Sequence, residues 1–267
     1  SRSVKEILSE ARQLIENGSK EIILLGQNVN AYNYDGNRLS DLLYALNEIK
    51  ELKRIRYTTS HPKDMTEDLI EIYKTSSKLM PLVHLPVQSG SNKILELMNR
   101  KHTIEEYLKI YEKLKEINPK IKFSSDFIIG YPKESEDDFD KTIKLIEKIK
   151  FINSYSFIFS PRPGTVAANL DLVDKEISQK RLEIIQKRLF ENQININKSL
   201  EKKVLNVLVE NRMKDGKKLF GRTEHMTGVI FEGSSEHIGK IAQVEITKGN
   251  QNSLFGKIKV NYNQKVA

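Results

Sequence analysis

Two hydrophobic periods alternate along most of the chain. Val4, Ile7, Leu8, Ala11, Leu14 and Ile15 recur at helical spacing, and Gly18 follows where a C-terminal cap belongs. Ile22 to Leu25 then form an unbroken apolar run, the mark of a strand buried on both faces, which stops at Gly26-Gln27-Asn28-Val29-Asn30. Residues 39–49 read as helix, 54–59 as strand ending at Ser60-His61-Pro62, and 64–75 as helix. A strand opening at Leu82 breaks at Pro86 and gives way to the polar row Gln88-Ser89-Gly90-Ser91-Asn92. Helices over 93–99 and 103–117 follow, the second opened by Thr103 and Glu106 as a capping box. The strand at 121–129 carries Ser124, Ser125 and Asp126 and runs into Gly130-Tyr131-Pro132. A helix over 135–149 starts with acidic residues, as the helix dipole favours. In the strand at 154–159, Tyr155, Phe157 and Phe159 share one side, and Ser160-Pro161-Arg162-Pro163-Gly164-Thr165 ends it before a long helix at 175–195.

Five strands alternating with helices predict an α/β fold with a parallel sheet and right-handed crossovers. Each strand ends in a polar segment with glycine or proline. In a TIM-like barrel or partial barrel the site draws residues from several such ends, here Gln27, Asn28, Ser60, His61, Gln88, Ser89, Ser91, Asp126 and Arg162. A doubly wound open sheet is the alternative, and it would concentrate its site at one switch point. After residue 196 the period changes to five short strands, at 203–210, 217–222, 227–231, 241–247 and 254–260, which predict a small all-β barrel. The expected units are therefore 1–196 and 197–267.

Charge separates the two units. Of 44 basic and 36 acidic side chains, residues 197–267 hold 13 and 7, which leaves the longer unit nearly neutral. A basic small barrel suits a polyanion, although a lysine-solvated surface has the same composition. On adjacent strands of such a barrel, Lys217, Lys218, Arg222, Lys257 and Lys259 are the candidate phosphate contacts. No apolar run approaches the ~20 residues of a membrane span, so a cytoplasmic monomer without a membrane partner is expected. The chain has no cysteine, which excludes disulfides and thiolate metal sites, and no His/Asp/Glu spacing suggests another metal. It opens Ser1-Arg2-Ser3, as a fragment or a processed product would.

Each candidate has a plainer reading beside the functional one. Gln27, Asn28 and Asn30 offer amides of either polarity to a small polar ligand, yet asparagine also serves turns with positive φ. His61 suits a general base or a structural contact. Asp126 inside an apolar strand requires partners or a ligand, because a buried unpaired carboxylate is costly. Arg162, set between Pro161 and Pro163, is suited to a carboxylate or phosphate, or is simply exposed in a rigid loop. A Ser–His–Asp hydrolase lacks its Gly-x-Ser-x-Gly elbow.

Taken in order, these segments resemble the MiaB-type methylthiotransferases, radical S-adenosylmethionine (SAM) enzymes that modify tRNA. Leu24-Leu25-Gly26-Gln27-Asn28-Val29-Asn30-Ala31-Tyr32 is similar to the family's second-strand motif. Ser60-His61-Pro62, His84 to Asn92, Asp126 to Pro132 and Ser160 to Thr165 follow in family order. Leu219 to Thr223, Val244 to Thr247 and Ser253 to Gly256 resemble the RNA-binding TRAM domain. The resemblance implies a methylthio group added to C2 of an isopentenylated adenosine beside the anticodon. It implies SAM and two 4Fe-4S clusters as cofactors and tRNA as partner, and it identifies neither the sulfur donor nor the electron donor. Gln27, Asn28, Gln88, Ser89, Ser91 and Asp126 would contact SAM or the target base, Arg162 a carboxylate or phosphate. The amide segment and the Arg-Pro-Gly loop look more like the tRNA enzyme than the RimO-type enzyme acting on a ribosomal protein.

Two departures stand out. Lys133 replaces a family glycine, which implies altered turn geometry. The family's N-terminal domain and Cys-x-x-x-Cys-x-x-Cys loop have no counterpart, so the expectation is a truncated, inactive chain whose missing part held the clusters. The competing class is a non-enzymatic RNA-binding remnant. An exposed edge strand at 21–25 and some aggregation are expected as well.

Overall fold

The computed structural model describes residues 1–214 and 216–259, so Asp215 and residues 260–267, including the end of the last predicted strand, lie outside the described residues. Three helices begin with reciprocal caps: Ser3 with Glu6 opens α1 (Val4–Glu16), Thr103 with Glu106 opens α5 (Ile104–Ile117), and Ser135 with Asp138 opens α6 (Glu136–Ile149). Each cap satisfies two N–H groups that a helix start otherwise leaves bare. Strand β1 (Glu21–Leu24) pairs in parallel with β4 (Arg54–Tyr57). Between them lie the hairpin β2 (Asn33–Tyr34) and β3 (Asn37–Arg38), then helix α2 (Leu39–Asn47). The hairpin turns at Asp35 and Gly36, both at positive φ, and had no counterpart in the periodicity.

After α3 (Glu67–Thr75), the chain pairs with β4 at Leu79 and continues as β5 (Leu82–His84). Following the short helix α4 (Asn92–Leu97) and α5, the strand predicted over 121–129 runs as two segments, β6 (Lys122–Ser124) and β7 (Asp126–Ile129). The first pairs with β5, the second with β8 (Tyr155–Ile158), all in parallel. The result is a curved sheet in sequential order, open between β1 and β8 among the described residues, with its helices on the outside. Its outward side chains, among them Ile55, Val83, Leu85, Phe127 and Ile129, are buried with Leu43, Leu46 and Ile72 from the helices. At the edge, Ile23 is 43% exposed and Leu25 76%.

Helix α7 (Lys175–Lys198) straps the sheet to a closed five-stranded barrel. Arg181 holds its start through Glu134 Oε2 (3.0 Å) and Glu136 (2.9 Å), while Glu134 accepts from Gly130 N. Within this turn Lys133 adopts φ 67°, a conformation that favours glycine, and its carbonyl accepts from Lys93 Nζ. The barrel comprises β9 (Val204–Arg212), β10 (Lys218–Arg222), β11 (Gly228–Glu232), β12 (Ile241–Gly249) and β13 (Ser253–Ile258), in the order β10-β11-β13-β12-β9.

Two buried arginines join the units. Arg54, 1% exposed, donates to the carbonyls of Arg222 (2.8 Å), Thr223 (3.3 Å) and Asn206 (2.9 Å). Arg56 donates to those of Glu224 (2.8 Å) and Thr223 (3.1 Å), and Glu21 lies 3.0 Å from its Nε. His225 Nε2 meets Lys120 O at 2.8 Å, and Asn153 donates to His225 O. The loop between β10 and β11 is thereby seated under the N-terminal ends of the sheet strands. Arg54→Met takes this donor from the carbonyls of Arg222 and Asn206, leaves that of Thr223 to Arg56 alone, and removes part of the counter-charge to Glu21. It is expected to cost about 3–5 kcal/mol, as breaking a buried ion pair does, and to split thermal unfolding into two transitions. A single transition at the wild-type Tm would contradict this.

Candidate functional site

The strand pleat selects which chemistry faces the hollow of the sheet. Ile23, Arg56, His84, Ser124, Asp126, Tyr155 and Phe157 line one cavity of about 960 Å³, with Met226 and Thr227 of the seated loop among its walls. Inside it, His84 Nδ1 lies 2.8 Å from Ser124 Oγ and Nε2 3.6 Å from Asp126 Oδ2. The Asp126 side chain is 30% exposed and the His84 side chain 21%, so both are reachable yet shielded. Tyr155 and Phe157 supply near-parallel aromatic faces, 6.5 Å apart between centroids. A carboxylate, an imidazole and stacked rings in one hollow suit a ligand with an ammonium or hydroxyl group and a planar base.

The predicted residues do not all reach this hollow. Gln27 and Asn28 line a neighbouring groove of about 780 Å³ beside α1, which shares Ile23 and Leu25 with the cavity. Asn28 Nδ2 donates to Asp64 at 2.6 Å, while its buried Oδ1 has no partner in the protein. Asn30 exchanges hydrogen bonds with the backbone of His61 in both directions, tying the first two strand ends together. Gln88 takes φ 72°, a rare conformation for a non-glycine residue, and bridges the sheet by donating to Asp126 O and accepting from Ile128 N.

Ser89 and Ser91 are placed differently: both are buried against α6. Ser91 caps α4 and donates to Asp138 Oδ1 at 2.6 Å, while Ser89 Oγ accepts from Ser91 N at 3.2 Å. Gly90 N donates to Thr142 Oγ1, and a Cβ at Gly90 would meet Lys141 O at 2.5 Å, so α6 packs directly on this turn. Burial alone would push the Asp138 carboxyl up, but hydrogen bonds from Lys93, Ser135 and Ser91 outweigh it and hold the group far below the usual carboxylate range. Arg162 sits exposed in the loop after β8 and lines neither hollow.

Two residues that the sequence reading missed face the strand ends from the loop after α4. Arg100 Nη2 donates to Pro86 O at 3.2 Å, and the His102 ring meets that of His61 edge-on, 5.5 Å between centroids. Their only sequence signal is position, directly after a short helix that opens on a strand end.

On the small barrel, β11 lies between β10 and β13, so the expectation that the lysines occupy adjacent strands is corrected. The parallel β11–β13 pairing closes the barrel and interposes Glu232 between Lys218 and Lys257. Arg222 is held by both oxygens of Glu210 at 3.0 Å and lies over the Phe220 ring. Lys217 precedes β10, and Lys259 follows β13, where its N–H donates to Gln243 O. Phe220, Ile230 and Phe255 align across β10, β11 and β13 on the outer face.

Among the described residues no group of three His, Asp or Glu side chains could hold a metal ion, and no helix is long and apolar enough to cross a membrane. The burial of His102, with the Arg100 charge beside it, holds its imidazole down to about 4. The unfolded chain takes up this proton first, near the ordinary 6.5, so stability falls as pH drops from 6.5 toward 4. His102→Asn is expected to reduce that slope in urea unfolding. An unchanged slope would contradict the assignment.

Comparisons with known proteins follow the same division. Residues 1–146 match the family model of the Radical SAM superfamily, and residues 198–259 match that of the TRAM domain. A protein of Pelagibacter ubique (strain HTCC1062) named tRNA-2-methylthio-N(6)-dimethylallyladenosine synthase is 72% identical over 100% of this chain and 61% of its own length. A protein of the same name from Rickettsia akari (strain Hartford) is 46% identical over 97% of this chain and 60% of its own. The chain thus spans about three fifths of the relatives it matches. Among solved structures, coproporphyrinogen III oxidase from Escherichia coli, a radical SAM enzyme, superposes with a TM-score of 0.54 at 12% identity, covering 95% of this chain and 64% of that one.

Proposed function

The chain belongs to the radical SAM superfamily and carries a TRAM domain, and from that premise we propose that it is the SAM-holding and tRNA-holding part of a tRNA-2-methylthio-N6-dimethylallyladenosine synthase. The observation that carries this reading is the 72% identity to the Pelagibacter relative along the whole chain. The reaction would place a methylthio group on C2 of an isopentenylated adenosine beside the anticodon. We draw the boundary between the two units at residues 196 and 197, with tRNA as partner and the cytoplasm as the place of work.

The hollow fits SAM by its donor set. Asp126 offers a shielded carboxylate to the methionyl ammonium, and Tyr155 and Phe157 offer faces to an adenine. SAM, when bound and reduced, supplies the deoxyadenosyl radical of this superfamily. The work of this chain's residues is to hold and shield. His84, set against Ser124 and Asp126, keeps the carboxylate oriented, and the seated loop walls the cavity off below. The two 4Fe-4S clusters do not fit these residues, because clusters of this kind need thiolates and the chain has no cysteine. A second reading, an RNA-binding protein without chemistry of its own, rests on the TRAM match over residues 198–259.

Asp126→Asn should weaken binding of S-adenosylhomocysteine, the stable analogue, by about 10–100-fold, the worth of a charge-assisted hydrogen bond. Calorimetry reads it, and equal affinity in the variant would remove Asp126 from the site. The purified chain should bind tRNA in a salt-dependent manner while neither absorbing as an iron–sulfur protein nor cleaving SAM. No SAM-analogue binding with intact tRNA binding would select the second reading, and SAM cleavage by the chain alone would refute the assigned division of labour.

A further inference from the structure

Several cations of the outer helices carry acidic partners. Lys113 pairs with Glu67, Lys141 with Asp137, Lys148 with Glu112, and Arg188 with Glu147 and Glu191. Under the sheet, where the strands begin and the small barrel is seated, the pattern reverses. Lys122 of β6, Lys150 at the end of α6 and Lys203 between α7 and β9 come together there. Among the described residues, none of these three has a side-chain hydrogen bond or an ion pair.

Backbone contacts build this cluster across the seam between the two units. Lys122 stands opposite Leu82 and two residues before Ser124, on the inward side of β6 at its base. Two residues after Lys150, Ile152 N donates to Phe123 O at 2.9 Å and lays the end of α6 beside β6. Lys203 is held from the barrel side, where its carbonyl accepts from Ile246 N at 2.9 Å. At the same level the units touch, through His225 Nε2 on Lys120 O and Asn153 Nδ2 on His225 O. Lys115 adjoins the group from α5, its ammonium donating to Pro119 O at 2.6 Å and Ile121 O at 3.1 Å.

Burial, with the charges of Lys203 and Lys150 beside it, pulls the pKa of the Lys122 ammonium down, and Lys122 adds to the burial that lowers Lys115. The acids of the seam are engaged elsewhere. Glu21 serves Arg54 and Arg56, Glu210 holds Arg222, and the Glu224 charge bears on Arg54, Arg56 and His225. Like charges held together without a counter-charge cost free energy, which a polyanion laid across them recovers. Lys150 and Lys203 are exposed and Lys122 is half-buried, so their spread suits successive phosphates of a backbone more than one small anion.

We propose that Lys122, Lys150 and Lys203 form a phosphate-binding seam, with which the sheet and the small barrel together grip the phosphodiester backbone of RNA. The cluster stands on its own geometry, and RNA as its occupant rests on the tRNA partner proposed above. The seam carries the RNA contact from the small barrel onto the SAM-holding unit. A backbone contact of this kind positions the substrate and does not read its sequence.

The test is the salt dependence of RNA binding by the full chain, with an unmodified tRNA transcript as probe. Lys122→Gln, Lys150→Gln and Lys203→Gln together should make the slope of log K against log salt shallower by about 2–3. Lys122→Arg, Lys150→Arg and Lys203→Arg together should keep the wild-type slope. Lys113→Gln, Lys141→Gln and Lys148→Gln remove the same charge from the outer helices and should leave the slope unchanged. If Lys122→Gln prevents folding, the pair Lys150→Gln and Lys203→Gln should still lower the slope by about 2. An unchanged slope in the seam variants, or an equal loss in the outer-helix variant, overturns the seam while wild-type binding upholds the tRNA partner. A wild-type chain without salt-dependent tRNA binding overturns both.

Discussion

The structure depends on an exchange of backbone carbonyls for guanidinium groups at the base of the sheet. Arg54 and Arg56 are buried on β4, a position where a doubly covered strand would normally carry apolar side chains, and Arg56 also lines the hollow. They are tolerated because the β10–β11 loop brings the carbonyls of Arg222, Thr223 and Glu224 under them, and Glu21 supplies the counter-charge. A guanidinium can serve several acceptors in fixed directions, which an ammonium cannot. The joint therefore sets orientation as well as contact. It closes the base of the cavity and holds the small barrel against the sheet.

From that base, alternation along each strand decides what the hollow contains. Arg56, His84 and Asp126 share its surface because each stands in phase with the inward side of its strand, while Ile55, Val83 and Phe127 turn outward to the helices. A shift of one residue in any strand would exchange the two sets and put charge into the core. The site is thus as strongly specified as the core behind it. At the rim, the loops add groups that no strand supplies, among them Arg100 against Pro86 O and His102 edge-on to His61.

Much of this was legible in the residues. The buried strands declare themselves by apolar runs, the helices by period and by caps such as Thr103 with Glu106, and the described small-barrel strands fall within two residues of their predicted bounds. The resemblance to radical SAM proteins with a TRAM domain agrees with both family matches. What stayed hidden depended on distant partners. Ser89 and Ser91 read as ligand contacts because they stand in a polar row, but the groups that bury them, Asp138 and Thr142, lie some 50 residues later. Arg54 and Arg56 look like surface charges until a loop 168 residues away covers them. The order of barrel strands was equally out of reach, since local patterning names strands and says nothing about the parallel β11–β13 closure. The Asp35-Gly36 hairpin, by contrast, was readable from its turn residues and was overlooked.

The central claim is that the hollow of the open sheet, and not the neighbouring groove along α1, holds the SAM. A crystal structure of the chain grown with S-adenosylhomocysteine tests it directly. The account predicts the amino group against Asp126, with the nucleoside inside the cavity that His84, Tyr155 and Phe157 line. Ligand density confined to the groove beside Gln27 and Asn28, with Asp126 untouched, would contradict it.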